Sequence, residues 1–414
     1  MFTSFSTALS ALGAHSTAID VVGNNLANLN TPGFKASVVS FYDLVTQSLG
    51  AGLGETQVGF GVARPLTLRQ FSQGAIQTSN GPLDAAIQGD GFLVLRNSAG
   101  ATIYGRGGNL QVDKNGALLT ATGERVQGWV GGNGVVDTNG PIGDIIIPVG
   151  TLRPAAATQN ISFDMNLNAA ASAGPPPDAF ASSIEVYDSL GISHIISVNF
   201  TKSANPGEWD YSVSIPDADV SSPVTPVTGT IGFDTAGRLV NPPVTGPFPT
   251  IAVTGLNSGA ADMNIQWNLY NGANPRLTQF AQSSAISAIG QDGNPAAQLI
   301  RVGLGDSGRV LAQYSNGQQV TVGQLAMASV RNPESLLSVG NNSYQLSARS
   351  ALPAIGLPGT GGRGTIIGGA IENSTVDIAR EFTNLIILQR GYQANSRVVT
   401  TVDEISQETI NLKR

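Results

Sequence analysis

Cysteine is absent from the 414 residues, which excludes disulfides, thiolate metal sites and cysteine nucleophiles together. Histidine is nearly absent, at two residues. Charge is scarce as well: Asp, Glu, Lys and Arg make up 12%, against roughly 25% in ordinary soluble domains. A formal net charge of −7 leaves nothing to neutralise a run of phosphates, which argues against nucleic acid as a partner. No apolar run approaches the roughly 18 residues needed to cross a bilayer, so membrane insertion is not expected. The first positive side chain is Lys35, so the basic start of a cleavable secretory signal is missing.

Apolar residues, at 41%, are ample for a packed core, and Gly (51) and Pro (22) are abundant. The length suits two or three domains. The polar surface must therefore come from Ser, Thr, Asn, Gln and the backbone. Such a surface has few charges to desolvate, which fits a molecule that buries its outside against copies of itself. It fits a glycine-rich extracellular β protein that never assembles equally well.

The two ends carry helical periodicity. Phe5, Leu12, Ile19 and Leu26 fall at seven-residue spacing, flanked first by Phe2 and Leu9 and later by Val22 and Leu29. The flank changes sides because a helix of 3.6 residues per turn drifts against a period of 3.5. Asn30-Thr31-Pro32-Gly33 stops this helix, and His15 is expected on its polar side. From Asn373 to Leu412 there is no Pro and only Gly391. Ile378, Leu385, Tyr392 and Val399 form one seven-residue row there, and Val398, Ile405 and Leu412 a second. Arg380, Glu381, Arg390, Arg397, Asp403 and Glu404 are expected to face elsewhere. Apolar helices are usually the core of one domain. Heptads sustained at the extreme ends of an otherwise β chain, where order is normally least, point instead to helices covered by other copies.

Between the ends the pattern is β. Short apolar runs such as Phe92–Leu95 and Ile145–Ile147 alternate with Asn80-Gly81, Asp90-Gly91, Asn115-Gly116 and Asn139-Gly140, the strongest local hairpin signals. Residues 184–270 repeat the style. Ala169–Pro177 and the proline-rich stretch from Pro223 to Pro249 read as loose segments, and Gly356–Gly369 as a flexible lead into the last helix. The fold class is mixed and mainly β: two nested β domains inserted between long N- and C-terminal helices that form a coiled-coil layer on assembly. The expected parts are helical ends at 1–30 and 371–414, connecting regions at 31–70 and 356–370, an inner β domain at 71–153 and 276–355, and an outer β domain at 154–275.

Signs of catalysis are weak. His15 and His194 lack recognisable partners for a metal site or a Ser-His-Asp triad. Gly303-Leu304-Gly305-Asp306-Ser307-Gly308 has the letters of a dinucleotide fingerprint, but a strand and turn follow where a helix is required, so it reads as a β turn. Asp90-Gly91 and Asp113-Lys114-Asn115-Gly116 lack the series of oxygen ligands of a calcium loop. No catalytic, cofactor or metal residues are assigned.

The run Asn24-Asn25-Leu26-Ala27-Asn28-Leu29-Asn30-Thr31-Pro32-Gly33-Phe34-Lys35 closely resembles the N-terminal signature of the axial proteins of the bacterial flagellum, rod and hook. Asn24, Asn25, Ala27, Asn28, Thr31, Gly33, Phe34 and Lys35 are the residues that carry it. Phe71–Ile76, Asn80–Ile87 and Gly89–Phe92 are similar to the same family. So are Glu381–Ile386, Gln389–Ser396 and the ending Ile410–Arg414. Val186–Gly191 and Val322–Ala326, with the large middle segment, look like the hook branch rather than the shorter rod branch.

The resemblance implies a structural subunit, not an enzyme, that polymerises into the hook, a curved flexible tube passing torque from rod to filament. The implied partners are further copies of the chain, the distal rod protein, the hook cap protein, the hook–filament junction proteins and the flagellar type III export apparatus. The implied location is the extracellular hook, reached without a cleavable signal peptide. The interface would be Phe5, Leu9, Leu12, Ile19, Leu26, Ile378, Phe382, Leu385, Tyr392, Val399, Ile405 and Leu412. A distal rod subunit remains an alternative, as does a secreted β-rich adhesin using Trp209, Tyr211 and Phe248.

Overall fold

The computed structural model describes residues 2–44, 46–49, 56–132, 134–222 and 224–411. Helix α1 spans Phe2–Ala27 and helix α2 spans Ile378–Asn411. Both are bounded by local chemistry. Asp377 opens α2 by accepting the Arg380 N–H on its carboxylate at 3.1 Å, which satisfies one of the donors stranded in a first helical turn. Beyond α1, the Asn28 amide donates back to the Asn24 carbonyl at 2.9 Å, and Gly33 turns the chain at a φ of 70°. A Cβ at Gly33 would lie 2.7 Å from the Arg106 carbonyl oxygen, so both backbone angle and space demand glycine.

The helices pack antiparallel: Val22 lines one cavity with Leu388, while His15 lies against Gly391. On α1 the buried positions are Ala8, Ala14, Ala18, Val22 and Asn25. Three of these five are alanines, small side chains that let neighbouring elements approach the helix closely. His15 is therefore not on a polar side. Its ring is half-buried, 5.5 Å from the Phe41 ring, and any Cβ at Gly391 would strike it at 2.7 Å.

Contacts divide the chain into two compact units, residues 1–149 with 301–313 and 319–414, and residues 150–300 with 314–318. In the first unit, antiparallel strands Phe92–Arg96, Thr102–Gly105, Arg125–Gly132, Arg309–Tyr314 and Gln319–Leu325 belong to one sheet. Phe71, Phe92 and Tyr344 meet edge to face at 5.2–5.7 Å over it, a geometry that matches ring edges to ring faces. Gly305–Gly308 forms a turn ahead of Arg309–Tyr314. The stretch 356–369, expected to be flexible, holds strand Thr365–Gly368, which pairs with Ala85–Gln88. Ala370–Glu372 pairs in turn with Ile76–Thr78. These pairings tie both chain ends to one β domain.

The second unit has two sheets. Ala179–Tyr187, Ser193–Lys202, Glu208–Ser214, Val227–Phe233 and Leu239–Asn241 follow one another as an antiparallel meander. Asn160–Asn168 is central to the other sheet, with Met263–Trp267 and Leu277–Phe280 parallel to it and Ala285–Gln291 antiparallel. Strict alternation turns Ile161, Phe163, Met165 and Leu167 inward. Trp267 sits among Phe163, Phe200 and Tyr211 at centroid distances of 5.3–5.9 Å. Two expectations change here. Residues 276–300, expected with the inner domain, pack in this unit because 277–280 and 285–291 pair with 160–168. The proline-rich stretch 223–249 is not simply loose, since it contains Val227–Phe233 and Leu239–Asn241.

Candidate assembly surface

The signature after α1 is built around one buried carboxylate. Glu372 Oε1 accepts from Lys35 Nζ at 2.6 Å and from the Gly74 N–H at 2.8 Å. Arg106 Nη1 lies 3.4 Å from both carboxylate oxygens. Lys35 also donates to the Ser72 carbonyl at 2.6 Å. Arg106 donates to the Gly91 and Gly89 carbonyls and stacks over the Phe92 ring. The Glu372 carbonyl receives the Gly33 N–H at 2.7 Å. All three charged side chains are buried. Burial lowers the Lys35 pKa, Arg106 lowers it further, and the hydrogen bond and charge of Glu372 oppose both.

Asn25 does a related task. Its side-chain amide donates to the Ser37 carbonyl at 2.8 Å and accepts the Ser37 N–H at 3.0 Å, imitating a paired strand. Phe34 clusters with Ala36, Val376 and Leu29. The Asn-Leu-Ala-Asn…Pro-Gly-Phe-Lys run is thus a clasp that fixes where α1 leaves the β domain and where the chain returns to α2. Its partners Arg106 and Glu372 had no local signal: each is a lone charge until the fold brings it to Lys35.

With the clasp fixed, about half of the large apolar side chains singled out on the helices face outward. Phe5, Leu9, Ile378, Phe382, Tyr392 and Ile405 are exposed, Leu9 at 56% and Phe382 at 52%. Leu12, Ile19, Leu26, Leu385 and Val399 are half-buried. Leu412 lies outside the described residues. The structure adds Ile386, Ile387, Val398 and Ile410 to the exposed set; three of these four fall off the heptad rows. Fully burying one such side chain contributes about 1.5–3 kcal/mol, so an open surface of this kind stabilises whatever covers it. Glu381 breaks the expected pattern. Periodicity places it away from the apolar rows with the other charges, yet it is buried.

The second unit holds the other histidine. His194 Nε2 is 3.3 Å from Asp188 Oδ2, and its Nδ1 is 3.2 Å from Asp219 Oδ2. Ser258 Oγ donates to Asp188 at 2.7 Å. The hydroxyl thus serves the carboxylate and not the imidazole, unlike a nucleophile with its base. Asp113 accepts the N–H groups of Asn115 and Ala117 at 2.9 and 2.7 Å, closing a turn.

Four family matches cover most of the chain. Residues 5–35 match the flagella basal body rod protein family, and 86–166 the flagellar hook protein FlgE/F/G D1 domain. Residues 166–294 match the flagellar basal body protein FlaE D2 domain, and 367–412 the flagellar basal body rod FlgEFG protein C-terminal domain. Among curated proteins, the flagellar hook protein FlgE of Borreliella burgdorferi is 32% identical, with both chains covered in full. That of Escherichia coli K12 is 31% identical, covering 99% of this chain and 100% of its own length. The crystal structure of Helicobacter pylori flagellar hook protein FlgE2 aligns at a TM-score of 0.52 and 13% identity, over 70% of this chain and 99% of that one. At that identity the likeness bears on fold alone.

Proposed function

This chain belongs to the flagellar hook protein family, and we propose that its two terminal helices are the surfaces through which this structural subunit polymerises into the hook. The observation that carries the reading is the division of labour on the helices. Ala8, Ala14 and Ala18 are buried inside one chain, while Phe5, Leu9, Ile378, Phe382, Tyr392 and Ile405 are exposed, which supports their being covered by other copies. A repeated contact between identical subunits with a fixed rotation builds a tube.

The tube so formed is curved and passes torque from rod to filament. The β units, with their weakly charged surface, carry the contacts that re-form as the tube turns. Its neighbours are the distal rod protein, the hook cap and the hook–filament junction proteins. Delivery is by the flagellar type III export apparatus to the extracellular hook. The role is mechanical, and no catalytic step is assigned to the His194 cluster.

Electron microscopy of the purified full chain, concentrated under assembly conditions, tests this. Curved tubes are expected. Short straight tubes would move the assignment to the distal rod, and a chain that stays monomeric throughout would overturn assembly through the helices.

A further inference from the structure

A cavity of about 290 Å³ lies where α1, α2 and strand Ser37–Ser40 meet. Its wall mixes apolar side chains, among them Val22, Val38, Phe41, Ile387 and Leu388, with the polar residues Ser37, Gln70, Thr375 and Asn384. Glu381 also lines it, only 7% exposed, and its Oε2 has no hydrogen-bond partner. None of the ion pairs among the described residues includes Glu381. The other charged groups on the wall are Asp377, whose carboxylate caps α2, and Arg380, which is exposed. Arg380 is the residue before Glu381 on the helix, and none of those ion pairs joins the two. A buried carboxylate oxygen without a donor is strongly disfavoured, so such a site calls for a charged donor.

We propose that this cavity receives an arginine side chain from a second copy of the chain, Arg390 or Arg397 of that copy's α2. The inference rests on the assembly reading above and names the contact within it. A guanidinium suits the site: its planar fork matches a carboxylate, and its aliphatic stem packs along valine, leucine and phenylalanine. Arg390 and Arg397 are exposed and take part in none of those ion pairs. They stand one heptad apart, on one row of α2, about 14 and 24 Å along the helix from Glu381. One helix thus carries both halves of the contact, displaced along its axis. Identical helices staggered end to end can then pair repeatedly, as a heterologous contact in an open polymer requires.

The test uses the full chain, with assembly followed by sedimentation and microscopy and monomer folding by circular dichroism. Glu381→Gln is expected to raise the critical concentration at least about tenfold with the monomer still folded. Glu381→Arg should block assembly, and adding Arg390→Glu or Arg397→Glu should restore it. Should Glu381→Gln unfold the monomer, the exposed single variants Arg390→Glu and Arg397→Glu carry the test, since one of them must raise the critical concentration as much. Wild-type tubes with unchanged assembly of Glu381→Gln overturn the pairing alone. So does a failure of both charge swaps to rescue, or an equal defect from Arg380→Ala, which would place the partner within the same chain. A wild-type chain that never assembles would instead sink the assembly reading itself.

Discussion

Lys35 and Glu372 stand 337 positions apart in the chain and meet at 2.6 Å, both side chains buried. That contact joins the exit of α1 to the approach of α2. Because Arg106 shares the same carboxylate, one negative group holds two positive ones in a buried site. Removing it strands both cations, and breaking a buried pair in this way typically costs about 3–5 kcal/mol. Glu372→Ala is expected to destabilise the first unit by that amount. Lys35→Met should cost less, because Arg106 still faces the carboxylate. Hydrogen exchange resolved along the chain checks this: protection should fall across residues 72–106 and 365–376 and stay unchanged in 160–290.

The helical pair separates folding from assembly. Leu9 is exposed, so Leu9→Asp should shift monomer stability by no more than about 0.5 kcal/mol while abolishing tubes. Ala14 is buried, 2% exposed, so Ala14→Leu overpacks its surroundings and should cost about 1–3 kcal/mol in the monomer. Thermal melts paired with sedimentation distinguish the two. A Leu9→Asp chain that assembles normally would remove α1 from the interface.

Asp188 gives the second unit an acid limit. Burial alone would raise its pKa, but donors from Ser258, the Ile192 N–H, His194 and the Leu190 N–H outweigh it, and the net pKa falls below the usual carboxylate value. A depressed folded pKa contributes stability that is present above the unfolded value of about 3.9 and is lost as pH falls through the folded one. Urea titrations of wild type should therefore show the second unit weakening below about pH 4. Asp188→Asn should cost about 2–3 kcal/mol at neutral pH and flatten that acid limb.

Trp267 anchors the second core, and its Nε1 is buried with no partner. Trp267→Ala opens a large cavity and should cost about 3–5 kcal/mol. Trp267→Phe also removes the unpaired N–H, which is itself unfavourable when buried, so its cost should be less than half as large. Urea melts followed by far-UV circular dichroism give both values.

Much was legible locally. Heptad rows and a Pro-Gly stop mark α1, and Asn115-Gly116 marks a turn in which Gly116 takes a φ of 83°, an angle glycine adopts at no steric cost. Each of these rests on interactions within a few residues, which a sequence displays directly. The strands at 227–233 and 239–241 were hidden because proline nearby argues for loops. Their pairing partners, not their own composition, make them strands.

The sequence by itself determined the helical ends, the β middle, the absence of thiol chemistry and membership of the flagellar axial family. Only the tertiary structure decided which face of α1 meets α2. Periodicity ranks Phe5 and Leu9 above Ala8 and Ala18, yet close approach of two helices favours the alanines and leaves the larger side chains outside. It alone decided that residues 277–291 join strand 160–168, that Lys35 answers Glu372, and that Glu381 is buried. Each depends on groups brought together from distant parts of the chain, and no local pattern encodes a partner more than a hundred residues away.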